Sequence, residues 1–360
     1  MRYALSDLRN RWLSQPTFRA FFGKIWPFRL IARRRARQLF DLSAGFVYSK
    51  VLMSCVELDW FERLRTGPVA LDQLAIESKL PVAAADRLAK AAVTLGLLEK
   101  RPSSMIALGP LGAAMIGDQG IAAMAAHHRL FYEDMRAPLA LLRGDIDSGL
   151  SQYWGYATSD DPASLSKGRV AEYSALMAAS QPMIVEQVLA SMKFDQFRHV
   201  MDVGGGTGAF LRAIGSAYPS LERTLVDLPG VVAGVGPESG LNIVGGSFLD
   251  VELPAEPDLV TLVRIIHDHD DHTVLALLKN IRQRIRPEAT LMIAEPLAAT
   301  KGAETVGDAY FGFYLLAMGS GRARTPKEIN ELLLASGFSP VQERRTPVPL
   351  ICSVLLSNPV

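Results

Sequence analysis

The sequence predicts an α/β chain in which a doubly wound parallel sheet follows a smaller helical module. Three observations carry this. The apolar run His199–Val203 is followed by Gly204-Gly205-Gly206-Thr207-Gly208 and then by Phe210-Leu211-Arg212-Ala213-Ile214, which reads as strand, tight turn and helix. From about residue 170, apolar runs of strand length alternate with helical ones, the pattern of a parallel sheet covered by helices. Residues 41–145 instead carry helical periodicity with one small β insertion. With 360 residues, 49% of them hydrophobic and 21% charged, the chain is globular and long enough for two cores.

Residues 1–40 form a distinct arm. They hold ten Lys/Arg and a single acid, Asp7, together with Trp12, Phe18, Phe21, Phe22, Trp26 and Phe28. Pro16 and Pro27 interrupt any long helix. Basic charge mixed with Trp and Phe suits a segment lying at a membrane surface, and equally an arm packed on a dimer partner. No run of 18 apolar residues is present, so no spanning helix is expected, and no secretory signal is evident. The two cysteines, Cys55 and Cys352, lie far apart in apolar surroundings and point to a reducing cytoplasm. A net charge of +1 argues against a surface built for nucleic acid.

The module at 41–150 opens with a helical stretch from Asp41 to Leu64. Leu71–Ala75, Pro81–Leu98 and the pair Leu97–Lys100 and Ile106–Leu108 resemble a helix-turn-helix with a wing. Its second helix reads Ala83-Ala84-Ala85-Asp86-Arg87-Leu88-Ala89-Lys90-Ala91-Ala92, mostly alanine where base-reading side chains would be needed. Packing or dimerisation is the better use. His127 and His128 follow on a long helix, where neighbours point apart, so a shared metal is not expected. One of the two is a candidate for lining a substrate pocket. Residues 145–168, rich in Gly, Ser, Asp and Pro, mark a surface connection and a domain boundary, with the sheet domain spanning 165–360.

In that domain a helix from Val170 to Met192 precedes the first strand. Further strands are read at Arg223–Val226, Leu241–Val244, Leu259–Val263 and Thr290–Ala294, with a helix at Val274–Arg286. A helix at Pro326–Ser336 and the segments Pro340–Arg345 and Ile351–Leu356 close the chain as an antiparallel hairpin at the sheet edge.

Gly204-x-Gly206-x-x-Ala209 also fits a dinucleotide fingerprint. Asp227, ending the second strand, would bond a ribose in either a dinucleotide or S-adenosylmethionine. Asp202 separates them. It stands directly before the glycines, where it would repel a diphosphate but favour the ammonium and sulfonium of the methyl donor. Ser247 and Phe248, in Gly245-Gly246-Ser247-Phe248, are candidates for the adenine.

The fourth strand runs into Arg264-Ile265-Ile266-His267-Asp268-His269-Asp270-Asp271-His272. His-x-His-x-Asp-His is a dinuclear zinc signature, but that site needs later histidines and none of the chain's six follows His272. A metal site is therefore not expected. The alternative is a single general base, His267, taking the proton of an acceptor hydroxyl as it is methylated. Asp268, or Glu295 at the end of the next strand, would fix its tautomer. His269 and His272 read as solvent-side residues opening the next helix, whose N-terminus suits Asp270 and Asp271.

Taken in order, Asp202–Gly208, Asp227, Gly245–Phe248, Ile266-His267-Asp268, Ile293-Ala294-Glu295 and Arg324-Thr325-Pro326 to Phe338 resemble the dimeric, S-adenosylmethionine-dependent small-molecule O-methyltransferases, the caffeate-type class I family. The resemblance spans residues 40–357. It implies a Rossmann-like methyltransferase domain preceded by a winged-helix-like dimerisation domain, a homodimer, and His267 as base with Asp268 or Glu295 as partner. It places Asp227 on the ribose, and Tyr173 and Met177 beside the donor. With Gly204, Gly206 and Arg264 these complete the donor-binding candidates. Ser247 and Ala323 stand where the plant members carry acids: the first departs from the usual adenine contact, and the second favours Glu295 as the orienting acid. The arm, Phe40–Tyr48 and Leu315–Arg322 resemble the carotenoid-pathway branch of the family in purple phototrophs. That implies a hydroxyl of an acyclic hydroxycarotenoid as acceptor, with Met318, Phe311, Phe313, Tyr314 and Leu315 as pocket candidates. Another hydrophobic acceptor (a polyketide, phenolic or chlorin pigment), C-methylation, or a donor-sensing regulator are the competing readings.

Overall fold

The computed structural model describes residues 2–22, 24–117, 119–155 and 167–360. The chain divides into two compact units, Met1–Gly117 and Asp118–Val360.

In the first unit, α1 (Arg2–Ser14), α2 (Pro16–Phe22) and α3 (Phe28–Glu57) form the arm and its continuation. Pro16 opens α2 and Pro27 precedes α3, the positions where a missing N–H costs nothing. α3 runs straight through the arm boundary expected at residue 40. By length and composition alone α3 also passes for a membrane span, with a mean hydropathy of 1.4 over its most apolar 18 residues. Its last turns are nevertheless committed to protein. Met53 and Cys55 are buried, and Cys55 shares a core with Trp60, Phe61, Leu64 and Leu74.

β1 (Val69–Ala70), β2 (Leu98–Lys100) and β3 (Met105–Leu108) form a small antiparallel sheet in the order β1-β3-β2, the predicted wing. Helices Leu71–Glu77 and Val82–Thr94 pack beside it. In the second, Ala85, Ala89 and Ala92 fall on one buried stripe, so its alanines are spent on close packing.

The second unit holds a seven-stranded sheet in the order β6-β5-β4-β7-β8-β10-β9. Its strands are β4 (His199–Val203), β5 (Glu222–Asp227), β6 (Asn242–Gly245), β7 (Leu259–Val263), β8 (Thr290–Glu295), β9 (Gln342–Arg344) and β10 (Ser353–Ser357). β4 to β8 are parallel, and β9 and β10 form the antiparallel edge. β4, β7 and β10 are buried along their whole length, as strands covered on both faces must be. The strand order reverses between β4 and β7, which opens a crevice at their carboxyl ends.

This unit begins at residue 118, ahead of the boundary near 150 that the loop composition suggested. Leu141, Leu150 and Trp154 share a core with Leu176, Tyr314 and Leu315, so the helices Gln119–Asp134, Pro138–Arg143 and Gly149–Tyr153 belong with the sheet. Most of the Ser- and Asp-rich part of that connection lies outside the described residues.

Candidate active site

The glycine turn and both predicted acids meet at the mouth of the crevice. Gly204, Gly206 and Gly208 have φ of 74°, 61° and 79°, which only glycine adopts freely. A Cβ on Gly205 would collide with the Asp202 carboxylate and Leu225, so the turn lies flat on the end of β4. Asp202 is fully buried. Its Oδ1 accepts from Thr261 Oγ1 at 2.6 Å, and its Oδ2 has no hydrogen-bond partner among the described residues. Burial raises its pKa to about 7. Asp227 accepts from the N–H groups of Gly206 and Leu228, both at 2.7 Å, and burial lifts its pKa to about 6. A buried acid with an unused oxygen beside a half-buried one fits a cationic ligand and opposes a diphosphate. The chemistry of this donor set therefore fits S-adenosylmethionine, which carries an ammonium, a sulfonium and a ribose diol and no phosphate.

Arg264 follows β7 directly, in the left-handed region at φ 58°. Its Nη1 donates to Ser180 Oγ at 2.8 Å and its Nη2 to the Met177 carbonyl at 3.3 Å, tying β7 to the helix Lys167–Ser191. Met177 is half-buried against the cluster that contains Trp154 and Tyr314. The side chain of Tyr173 lies outside the described residues. Ser247 Oγ accepts from Leu249 N–H at 3.3 Å. Phe248 packs on the main core, with its ring 5.2 Å from that of His269. His269 is thus half-buried on an aromatic face, where solvent contact was expected, and burial lowers its pKa. His272 is exposed, and Asp270 caps the helix Asp271–Arg284 by accepting from Thr273 N–H at 2.8 Å.

His267 sits on a short 3-10 turn, Ile266–Asp268, just beyond β7. Its Nε2 lies 3.1 Å from Asp268 Oδ1, while its backbone N–H donates to Glu295 Oε2 at 3.2 Å. Its Nδ1 has no hydrogen-bond partner among the described residues, and its ring stacks on Phe311 at 5.6 Å. Burial lowers the imidazole pKa, but the Asp268 and Glu295 carboxylates outweigh it and hold the group above its ordinary value. The two candidate acids therefore divide the work: Asp268 holds the ring and Glu295 the backbone. The preference for Glu295 as ring partner does not match this arrangement. The end of β8 points at the N–H of the tight turn, whereas Asp268 is carried by the turn itself. Glu295 is fully buried with Oε1 unpartnered, and burial raises its pKa.

An aromatic wall stands beside the His267 ring. A π-helical turn, Thr305–Phe311, runs into the helix Gly312–Met318 and presents Tyr310, Phe311 and Tyr314. Tyr314 Oη lies 2.8 Å from His127 Nε2 and accepts from Trp154 Nε1 at 2.9 Å. Tyr310 Oη lies 2.6 Å from His128 Nε2. Burial, with a smaller effect of His128, lowers the His127 pKa to about 4, so it is neutral at pH 7 and shares one hydrogen bond with the Tyr314 hydroxyl. Of the pocket candidates, Phe311 and Tyr314 join this wall. Leu315 and Met318 are buried in packing, and Phe313 is half-buried. Tyr310, Tyr153 and Trp154 were not anticipated; the one signal was the Tyr310-x-x-x-Tyr314 spacing, a helix repeat that places both rings on one face.

Comparison with known proteins agrees with this architecture. The O-methyltransferase domain family matches residues 148–339, and the O-methyltransferase dimerisation domain family matches residues 40–115. The chain is 40% identical over 330 residues to a demethylspheroidene O-methyltransferase of Rhodobacter capsulatus, covering 90% of this chain and 82% of that protein. It is 37% identical over 346 residues to a protein of the same name from Cereibacter sphaeroides, covering 94% and 91%. The solved human N-acetylserotonin methyltransferase, in complex with SAM, shares the fold at a TM-score of 0.77 and 23% identity, over 90% of this chain and 97% of that one. The chain belongs to the S-adenosylmethionine-dependent O-methyltransferase family. Its first unit carries the family's dimerisation domain.

Proposed function

We propose that this enzyme methylates a hydroxyl of an acyclic hydroxycarotenoid, with His267 as general base. The observation that carries the acceptor is the 37% and 40% identity, over most of the chain, to enzymes named for demethylspheroidene. The neutral aromatic wall beside His267 supports it, since a polyene offers no charge or hydrogen bond to be matched.

S-adenosylmethionine supplies, when bound, a methyl group activated by the adjoining sulfonium. Asp202 and Asp227 would hold its ammonium and ribose, and Gly204 and Gly206 would let the backbone approach it. Ser247 and Phe248 would flank the adenine, and Tyr173, Met177 and Arg264 would border the donor. As the acceptor oxygen takes that methyl group in place of sulfur, its hydroxyl proton must leave. The hydroxyl proton passes to His267 Nδ1, the ring nitrogen left unpartnered. Asp268 on Nε2 fixes the tautomer and stabilises the imidazolium.

A donor titration and turnover of H267A test the base. Donor affinity stays within about threefold of wild type, while turnover falls by about 10²–10⁴. Unchanged turnover rejects the role. Carotenoid extracts of cells lacking the protein test the acceptor: an unmethylated hydroxycarotenoid accumulates, and an unaltered carotenoid profile removes the assignment.

We further infer that the enzyme works in the cytoplasm, peripheral to the inner membrane, through residues 1–40. The basic, aromatic composition of that arm and the bilayer-soluble acceptor support this reading.

A further inference from the structure

The proposed base is carried by a three-residue turn, and a turn alone does not fix an imidazole to the fraction of an ångström that proton transfer demands. The segment Gly321–Arg324 closes over that turn. Arg322 N–H donates to the His267 carbonyl at 2.9 Å. Arg324, fully buried, donates from Nη1 to the Ile266 carbonyl at 2.7 Å and from Nη2 to the His269 carbonyl at 2.8 Å. Its Nε and Nη2 also reach Asp271 Oδ1, at 2.8 and 2.6 Å. The carbonyls of 266, 267 and 269 are thus all taken by donors from one short segment. Gly321 lies so close that a Cβ would collide with the His267 carbonyl and Asp268, at a φ of +79° that glycine tolerates. The Arg324 carbonyl in turn accepts from Ala298 N–H at 2.9 Å, three residues beyond Glu295. Its guanidinium therefore links the turn bearing His267 to the helix opened by Asp271, and its backbone carbonyl ties the same segment to the loop following β8.

Burying an arginine is expensive, and a segment needed for packing alone would use an apolar side chain. Here its carbonyl partners within 3 Å are residues of the turn that carries His267 or lie directly beside it. We propose that Arg324 is the positioning residue that holds the His267 imidazole, against Asp268, in the geometry needed to accept the hydroxyl proton. This rests on His267 as the base.

The test compares R324M, R324K, D271N, H267A and the double variant R324M/H267A in the full chain. It measures kcat, both KM values, donor affinity, the pH dependence of kcat and Tm. In R324M, kcat falls by about tenfold to a hundredfold, while donor affinity and acceptor KM stay within about threefold. The acidic limb of its kcat–pH profile moves to lower pH as the His267–Asp268 contact loosens. R324K recovers part of kcat, because an ammonium still offers donors to the same carbonyls. D271N, altered at a half-exposed carboxylate, lowers kcat in the same direction by less. Adding R324M to H267A brings no further loss.

A purely structural role would lower Tm and donor affinity together with kcat, and would leave the pH limb in place; that result overturns the proposal. So does an R324M enzyme with kcat within threefold of wild type, or additive losses in the double variant. Should R324M fail to fold, unchanged kcat in both R324K and D271N overturns it. Turnover retained by H267A removes the base reading and this proposal together, whereas additive losses remove the role of Arg324 alone.

Discussion

His267 meets two carboxylates whose roles differ by position, and the difference is measurable. Asp268 lies on the ring and Glu295 on the backbone N–H. The imidazole must be neutral to accept a proton, so turnover rises with pH as the imidazolium deprotonates. Burial lowers that pKa, and Asp268 contributes most to raising it again. D268N therefore moves the acidic limb of the kcat–pH profile to lower pH. It also lowers the plateau by about tenfold or more, since the tautomer is no longer held. A limb at the same or higher pH contradicts this assignment. At this scale the sequence was partly legible. That Asp202 and Asp227 meet beside the glycine turn was legible, because both stand at the carboxyl ends of neighbouring parallel strands. The ring partner of His267 was not legible, because it depends on the direction of one side chain in a tight turn. The burial of His269 against Phe248 left no signal in either residue's neighbourhood.

Two elements, the π turn with its following helix and the helix Gln119–Asp134, make the aromatic wall beside His267. Neighbouring histidines on a helix diverge, which argued against a shared metal, yet His127 and His128 each find a tyrosine. They do so because Tyr310 and Tyr314 stack at 5.7 Å, forming a row that both imidazoles reach. Y314F removes the acceptor of Trp154 Nε1 and the hydrogen-bond partner of His127 Nε2 together. Leaving buried polar atoms unsatisfied costs about 1–3 kcal/mol, which thermal denaturation reads as a Tm lower by about 3 °C or more. An unchanged Tm means that the hydroxyl is not structural. The sheet and its edge hairpin were legible from the alternation of apolar runs. The placement of residues 119–153 with the sheet was not: an apolar stripe reports that a helix is buried, not against which core.

At the scale of the whole molecule, charge and apolar surface are distributed unevenly. The net charge is +1, yet ten of the 38 Lys/Arg fall in the first 40 residues beside a single acid. Trp12, Phe21, Trp26, Phe28, Phe40 and Phe46 are all exposed there or just beyond. The dimerisation match begins at residue 40, so α1, α2 and the first turns of α3 precede it. Each basic side chain near an anionic leaflet is worth about 1 kcal/mol, and the aromatic rings anchor at the interface. The full chain should therefore float with vesicles containing phosphatidylglycerol, and about 0.5 M salt should weaken this, because the screening length falls to a few ångströms. Deleting residues 1–27 leaves the buried end of α3 in place. The shortened enzyme should lose flotation and turn over vesicle-embedded acceptor slowly, while matching the full chain on acceptor dispersed in detergent. Equal flotation of both forms rejects the membrane reading. Loss of the dimer with flotation unchanged assigns the arm to the partner subunit instead. Resistance of the full chain to alkaline extraction would mean that α3 spans the bilayer, against the commitment of its last turns to the core of the first unit.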